Sequence, residues 1–163
     1  MSDDKISFKD ELTGIYTKAF FFETGKNLIE VAIRHKASIA ICIIDINHLN
    51  ILNNKYGFTV GNQIIWSVAQ TVSKKCRKSD LVGYLGEGKI GLILYNITGI
   101  NANEMLNTLK RNIEHDINIV KQTVSIGAIM IQSHNNMESI EKIFLKAYMA
   151  LNDAKEKNIV IVY

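Results

Sequence analysis

The sequence predicts a single α+β domain, of α/β class in the broad sense, in which helices flank a central mixed and largely antiparallel sheet of about five strands. Three observations support this fold class. The chain has 163 residues, 47% of them hydrophobic, which is enough for one compact core. Segments with apolar residues at helical spacing alternate with short apolar runs, in the order α-β-α-α-β-β-α-β-α-β. Two of these runs flank a glycine-rich turn, which is typical of a β-hairpin.

The first half of the chain is predicted to form a helix, a buried strand and two further helices. Residues 19–37 carry apolar residues at helical spacing. Residues 38–47, SIAICIIDIN, are β-branched and almost wholly apolar, as expected for a strand that is covered on both faces. A short helix over 48–57 precedes an amphipathic helix over 60–77. Trp66 lies on the apolar face of that second helix and is expected in the core.

The second half is predicted to add the hairpin, two helices and two more strands. The chain has no proline, so glycines and polar clusters are the only punctuation between elements. The alternation of helices and strands predicts that the hairpin lies in the middle of the sheet. The predicted elements are hairpin strands over 80–85 and 90–97, helices over 101–116 and 139–157, and strands over 122–132 and 159–163.

Composition and charge exclude several classes of function. The net charge is +3 with Lys and Arg spread along the chain, so no nucleic-acid partner is expected. Two cysteines, Cys42 and Cys76, indicate neither a disulfide framework nor a zinc site. No secretory signal is visible, and no apolar stretch reaches the roughly 18–20 residues that span a bilayer. We therefore expect a cytoplasmic location, without membrane contact by this segment. Residues 1–9 are predicted to be a polar N-terminal extension before one domain over 10–163.

Asp45 is the first candidate for chemistry, because an ionised carboxylate at the end of a buried strand is costly without a partner. Asp45 or Asn47 is placed to cap the helix that follows. Alternatively, Asp45 is a ligand for a divalent metal at a strand end that faces the hairpin. A magnesium site for phosphoryl chemistry normally needs two carboxylates, and the hairpin tip offers Glu87, Gly88 and Lys89 for the second.

Five segments in order, with matching spacings, resemble the GGDEF domain of the diguanylate cyclase family over roughly residues 10–160. The resemblance implies the family's fold, and an activity that joins two GTP molecules into cyclic di-GMP with the help of metal ions. The segments are DELTGIYTKAFF (10–21), IIDINHLNILNNKYGFTVGN (43–62), RKSDLVGYLGEGKI (77–90), TVSIGA (123–128) and AYMALNDAKEKN (147–158).

The signature of the family is broken in this chain. Where the family has Gly-Gly-(Asp/Glu)-Glu-Phe, the chain has Gly86-Glu87-Gly88-Lys89-Ile90. The third position, the family's metal-binding acid, is a glycine, and the fourth, also acidic in the family, is a lysine. Glu87 is one place early, and in a strand an offset of one residue points a side chain to the opposite face. We therefore expect no catalytic residues in this signature.

Other positions of the family pattern survive only in part. Asp45 matches a metal-binding acid, whereas the next acidic position is Asn47. Asn53 matches an asparagine that contacts guanine, but its partner aspartate is Asn62, whose amide brings donors towards the N–H groups of guanine. Lys155 matches a lysine that contacts phosphate. Two further arginines of the pattern are replaced by Tyr84 and Ile159.

These losses suggest a substitute for the metal ion. We hypothesise that Lys89 pairs with Asp45 and neutralises it; the alternative is that the Lys89 ammonium extends into solvent. Asp45 is then the one surviving metal ligand and binds no metal. No cofactor is expected, and Mg²⁺ enters only with residual nucleotide binding.

One site of the family pattern is retained. Arg77 and Asp80 keep the R-x-x-D motif at its usual distance from the signature, which in the family is the inhibitory site for cyclic di-GMP. The planar guanidinium of an arginine suits phosphate and the Hoogsteen edge of guanine. The alternative is a vestigial local pair between Arg77 and Asp80.

Four functions remain open on the sequence. The first is a degenerate GGDEF domain that binds cyclic di-GMP through Arg77 and Asp80, or contacts a protein partner. The second is a non-catalytic binder of GTP or another nucleotide in the old cleft, with Lys89 and Lys155 on the phosphates. The third is a weak diguanylate cyclase that uses Asp45 and a shifted Glu87. The fourth is a structural partner, such as one half of a homodimer.

Overall fold

The computed structural model describes residues 7–132 and 138–163, so the first six residues of the predicted extension over 1–9 lie outside it. The order of its elements is the predicted one. None of the helices in these two ranges is long and apolar enough to cross a membrane. The elements are α1 Lys18–Arg34, β1 Ile39–Ile46, α2 Leu49–Tyr56, α3 Phe58–Lys75, β2 Leu81–Gly86, β3 Lys89–Tyr95, α4 Gly99–Asp116, β4 Val124–Ile131, α5 Ile140–Lys157 and β5 Val160–Val162.

The five strands form one sheet in the order β2-β3-β1-β4-β5. β1 pairs antiparallel with β3 and β4, β2 pairs antiparallel with β3, and β4 pairs parallel with β5. The predicted fold class, a mixed and largely antiparallel sheet flanked by helices, is therefore confirmed. The predicted place of the hairpin is wrong, because β2 is an edge strand. The central position belongs to β1, all eight residues of which are buried.

Helices cover both faces of the sheet, and the alternation along β1 decides which residue meets which layer. Ile41 and Ile43 pack in one hydrophobic cluster with Phe21 of α1 and Phe144 of α5. The intervening residues of β1 pack in a second cluster with α3 and α4. Asp45 continues the series of Ile41 and Ile43, so its side chain lies on the face that α5 covers.

Close packing of α5 on β4 fixes the position of the helix above Asp45. A Cβ atom at Gly127 of β4 would lie 2.0 Å from the backbone nitrogen of Leu151 in α5, so only glycine allows this approach. Lys155 is one helical turn beyond Leu151, at the end of α5 that lies over the end of β1. The contact at Gly127 therefore determines which β1 residue Lys155 can reach.

Helix α3 begins two residues earlier than predicted, directly after Gly57, whose φ of 86° breaks the chain direction between α2 and α3. Its buried face includes Ile64, Ile65 and Val68. Trp66 lies away from that face and is 53% exposed. Its expected place in the core is therefore wrong, because the aliphatic residues of α3 already supply the stripe that meets the sheet.

Candidate functional site

Two lysines hold the carboxylate of Asp45, one at each oxygen. Asp45 is 3% exposed and is the penultimate residue of the central strand, where it is paired with Lys89 of β3. Lys155 Nζ donates a hydrogen bond to Asp45 Oδ2 at 2.5 Å. Lys89 Nζ lies 3.6 Å from Asp45 Oδ1, within the range of an ion pair but beyond that of a good hydrogen bond. We call these three residues the Asp45 cluster.

The hairpin turn positions Lys89 beside Asp45. Gly86 pairs with Lys89, and the two residues between them, Glu87 and Gly88, both have positive φ, 53° and 76°. Two such residues are typical of the tight turn that matches the twist of a hairpin. Gly88 is also pressed against α2, because a Cβ atom there would lie 2.5 Å from Leu49 Cδ2. The position where the family has its acid therefore favours glycine in this chain for steric reasons.

Glu87 lies in the turn rather than in a strand, so the expectation that its offset points it to the opposite face of the sheet does not apply. The turn follows an irregularity of β2 between Tyr84 and Gly86. Glu87 is exposed at the tip and lines the same cavity as Asp45.

Partial burial raises the pKa of Tyr148 above its usual value, and the carboxylates of Asp45 and Glu87 raise it further.

Asn47, which occupies the next acidic position of the family pattern, belongs to the structural framework. Its Nδ2 donates to Thr123 Oγ1 at 2.9 Å and to Asn158 Oδ1 at 3.1 Å. Its Oδ1 accepts from Ser125 Oγ at 2.9 Å. These bonds join the end of β1 to β4 and to the residue that follows α5. An uncharged amide suits all of them, whereas a carboxylate would repel the Asn158 oxygen.

The residues present do not fit a magnesium ion. Across residues 7–132 and 138–163, no three His, Cys, Asp or Glu side chains come together as a metal site. Asp45 supplies one carboxylate, and a divalent cation bound to it would lie beside the ammonium groups of Lys89 and Lys155. Like charges at such distances repel strongly in a partly buried site. The Asp45 carboxylate already has two positively charged neighbours in the structure.

Beside the Asp45 cluster lies a cleft of about 570 Å³ between α2, α3, the hairpin and the end of α5. It brings together the positions that the sequence assigned to nucleotide binding. Its lining includes Asp45, Asn53, Phe58, Asn62, Lys89 and Lys155.

The two asparagines of the cleft differ in their surroundings. Asn62 is exposed. Asn53 packs on the backbone of α3 at Gly61, where an added Cβ would lie 1.8 Å from Asn53 Oδ1. That oxygen is buried and has no hydrogen-bond partner in the described part of the chain. Any residue larger than glycine at position 61 would collide with the Asn53 amide.

Sequence reasoning missed one contact and one residue of the cleft. Lys155 was assigned to phosphate and not to Asp45, because nothing local shows that the end of α5 lies over the end of β1. Phe58 is 74% exposed at the first position of α3. An aromatic residue directly after the glycine that starts the helix was the available signal.

The R-x-x-D motif forms a local turn. The backbone N–H of Arg77 donates to Asp80 Oδ2 at 2.8 Å, and the backbone N–H of Tyr95 donates to Asp80 Oδ1 at 3.1 Å. Asp80 thus ties the loop after α3 to the end of β3. The Arg77 side chain is exposed and lines a groove of about 360 Å³ between this loop and α4. No ion pair joins the Arg77 and Asp80 side chains in the described ranges.

The sequence of this chain is similar to a known family model and to several known proteins. The family model "Diguanylate cyclase, GGDEF domain" matches residues 7–159. The probable diguanylate cyclase DgcT of Escherichia coli strain K12 is 30% identical over 166 residues, which cover 96% of this chain and 36% of DgcT. The match to the probable diguanylate cyclase DgcC of the same strain covers 30% of DgcC. The chain thus spans about a third of the length of these curated relatives.

Solved structures share the fold at low sequence identity. The GGDEF domain of DgcB from Caulobacter crescentus, crystallised with cyclic di-GMP, has a TM-score of 0.88 at 19% identity, over 96% of this chain and 95% of that one. The diguanylate cyclase SiaD of Pseudomonas aeruginosa, crystallised with its activator SiaC, has a TM-score of 0.84 at 21% identity, over 96% of this chain and 62% of that one. The family match over nearly the whole sequence confirms the resemblance of the motifs: this chain belongs to the GGDEF domain family of the diguanylate cyclases.

Proposed function

We propose that this chain is a catalytically degenerate GGDEF domain that acts in cyclic di-GMP signalling as a binding module, and that it does not synthesise the dinucleotide. The observation that carries the proposal is the Asp45 cluster, in which Lys155 and Lys89 approach the two oxygens of the Asp45 carboxylate at 2.5 and 3.6 Å. Joining two nucleotides requires charge stabilisation at the phosphate under attack, which metal ions supply in enzymes of this kind. In this chain two lysines instead neutralise Asp45, the carboxylate that matches the family's metal ligand.

Arg77 supports binding of cyclic di-GMP at the retained motif. Its guanidinium is exposed beside a groove, and its planar fork can donate two parallel hydrogen bonds to a phosphate or to guanine O6 and N7. Asp80 holds the loop that carries Arg77 through two backbone N–H groups. A GGDEF domain of the same fold, that of DgcB, was crystallised with cyclic di-GMP.

Titration calorimetry with cyclic di-GMP tests the proposal. We expect binding by the wild-type chain, a loss of about tenfold or more in Arg77→Ala, and little change in Lys78→Ala, which removes the neighbouring exposed cation. Incubation with GTP and Mg²⁺ is expected to yield no cyclic di-GMP. Accumulation of that product would refute the loss of catalysis. If cyclic di-GMP does not bind, it is not the ligand of this module, and contact with a protein partner is left as the role of the module.

A further inference from the structure

The two edges of the sheet are covered differently. At the β2 edge the chain adds its own N-terminal segment, because Tyr16 N–H donates to Val82 O at 3.3 Å and Tyr84 N–H donates to Tyr16 O at 2.9 Å. The other edge of the sheet is β5. Within residues 7–132 and 138–163, β5 pairs only with β4, so this second edge is open there.

The open edge presents backbone groups that lack partners. Ile159 O accepts a hydrogen bond from β4 at 3.4 Å, and Tyr163 N–H donates one to β4 at 2.9 Å. Because backbone groups alternate in direction along a strand, those of Val160 and Val162 point away from β4. Neither residue makes a backbone hydrogen bond on this outer side in the described part of the chain. Such a row of N–H and C=O groups is a template for another strand.

The side chains at this edge carry no charge. Residues 159–163 read IVIVY, and Ile159 is 42% exposed and Tyr163 62% exposed. Sheets usually protect an open edge with charged side chains, proline, a bulge or a short strand, and β5 has only its short length. An incoming strand would therefore meet apolar side chains and no charge that repels it.

The same five residues are complementary to a second copy of themselves. In an antiparallel pairing about a two-fold axis at Ile161, Val160 of each copy lies opposite Val162 of the other. These two pairs carry the outward backbone groups, so each pair exchanges both of its N–H···O bonds. Ile161 then meets Ile161 of the other copy, and Ile159 meets Tyr163. All of these cross-strand pairs are apolar, and such pairs stabilise antiparallel strands.

The helices leave room for this pairing. On one face α5 packs directly on β4 at Gly127. The pairing separates the two β4 strands by three strand spacings, about 14 Å, which is wider than the 8–10 Å between packed helices. On the other face α4 contacts both β4 and β5, so the two α4 helices come to about 10 Å, the separation of packed helices.

From these features we propose that β5 binds β5 of a second copy of this chain, in antiparallel register about Ile161, and joins the two five-stranded sheets into one. The interface is at the edge opposite the hairpin and does not use Arg77, so the inference stands independently of cyclic di-GMP binding. Because β5 has three residues, we expect a weak dimer, with a Kd of about 10–100 µM.

Sedimentation equilibrium with charge variants at the two-fold axis tests the pairing. We expect the wild-type chain to pass from monomer to dimer between about 1 and 500 µM. Ile161→Lys and Ile161→Glu each place like charges opposite each other and are expected to remain monomeric. An equimolar mixture of the two variants is expected to dimerise, because opposite charges then face each other. Ile51→Lys, at a 59% exposed position on α2, is the matched control and is expected to dimerise as the wild type does.

Three results of this experiment would overturn the proposal. They are a wild-type chain that stays monomeric at about 500 µM, dimers of Ile161→Lys or Ile161→Glu as strong as those of the wild type, and a mixture of these variants that stays monomeric. Thermal melting of each variant shows that it is folded.

Cysteine cross-linking tests the register. Cα atoms of a non-hydrogen-bonded antiparallel pair are about 4.5 Å apart, within the range that a disulfide spans, so Ile161→Cys is expected to form a disulfide-linked dimer in air. Ile159→Cys is the control, because its two copies would be offset by four residues, about 14 Å. The wild-type chain, with its free Cys42 and Cys76, is the blank. Cross-linking of Ile159→Cys as fast as that of Ile161→Cys would overturn the proposed pairing.

Discussion

Lys155 donates a hydrogen bond to Asp45 at 2.5 Å from a position 110 residues further along the chain. The bond joins the end of the last helix to the end of the central strand. Lys89 approaches the other oxygen of the same carboxylate at 3.6 Å, so the hairpin is part of the same contact. An unpaired carboxylate buried to this degree costs several kcal/mol. The Asp45 cluster therefore contributes to stability as one unit.

The two lysines are expected to compensate for each other. Lys155→Ala and Lys89→Ala should each lower the free energy of unfolding by about 1–2 kcal/mol, because one ammonium still faces Asp45. The double variant should lose about 3–5 kcal/mol, more than the two single losses together, since it leaves a buried carboxylate without a counter-charge. Urea unfolding of the four proteins measures this coupling.

Replacement of the Asp45 carboxylate is the control for the comparison of the single and double lysine variants. Asp45→Asn in the double-alanine background removes the uncompensated charge and should recover most of the lost stability. Lys157→Ala on the same helix should change stability by no more than about 0.5 kcal/mol. Strictly additive small losses in the lysine variants would show that solvent, rather than the lysines, neutralises Asp45.

The sequence predicts local features of this site better than distant ones. The approach of Lys89 to Asp45 depends on one strand, one hairpin and their pairing, each of which has a local pattern. The contact of Lys155 depends on where α5 crosses the sheet, which the close approach at Gly127 decides. Trp66 was misplaced for a related reason, because the face of α3 that meets the sheet depends on the packing of the whole layer.

Two glycines of the hairpin form a matched pair for a test of steric constraint. Both Gly86 and Gly88 have positive φ, 91° and 76°, but an added Cβ meets no atom within 4 Å at Gly86 and meets Leu49 Cδ2 at 2.5 Å at Gly88. Gly86→Ala should cost about 1–2 kcal/mol from its backbone conformation. Gly88→Ala should cost about 2–4 kcal/mol, because Leu49 must also move.

Thermal or urea unfolding compares the two alanine variants directly. Equal losses would mean that Leu49 moves aside freely. In that case an acid at position 88, where the family has its metal ligand, would be sterically acceptable here.

Alanine variants of Asp80 and Arg77 are expected to differ in their effect on the free energy of unfolding. Asp80→Ala removes the acceptor for the backbone N–H groups of Arg77 and Tyr95, and should lower the free energy of unfolding by about 1–3 kcal/mol. Arg77→Ala leaves those backbone groups in place and should change stability by no more than about 0.5 kcal/mol. Comparable destabilisation by the two variants, measured by urea unfolding, would show that the Arg77 side chain is structural.

The two cysteines are expected to resist alkylation while the chain is folded. Burial raises the pKa of the Cys76 thiol to about 12, with a smaller contribution from Asp80, and burial likewise raises the pKa of Cys42 well above its usual value of 9.0. Because the thiolate is the reactive form, iodoacetamide at pH 8 should modify both thiols at least about tenfold more slowly in buffer than in urea. The folded state holds these protons to higher pH than the unfolded chain does. The contribution of the protonated Cys76 thiol to the free energy of unfolding is therefore complete below pH 9.0. It declines as the pH rises towards about 12. Rapid modification of the folded chain, followed by mass spectrometry, would show that the loop after α3 opens and exposes Cys76.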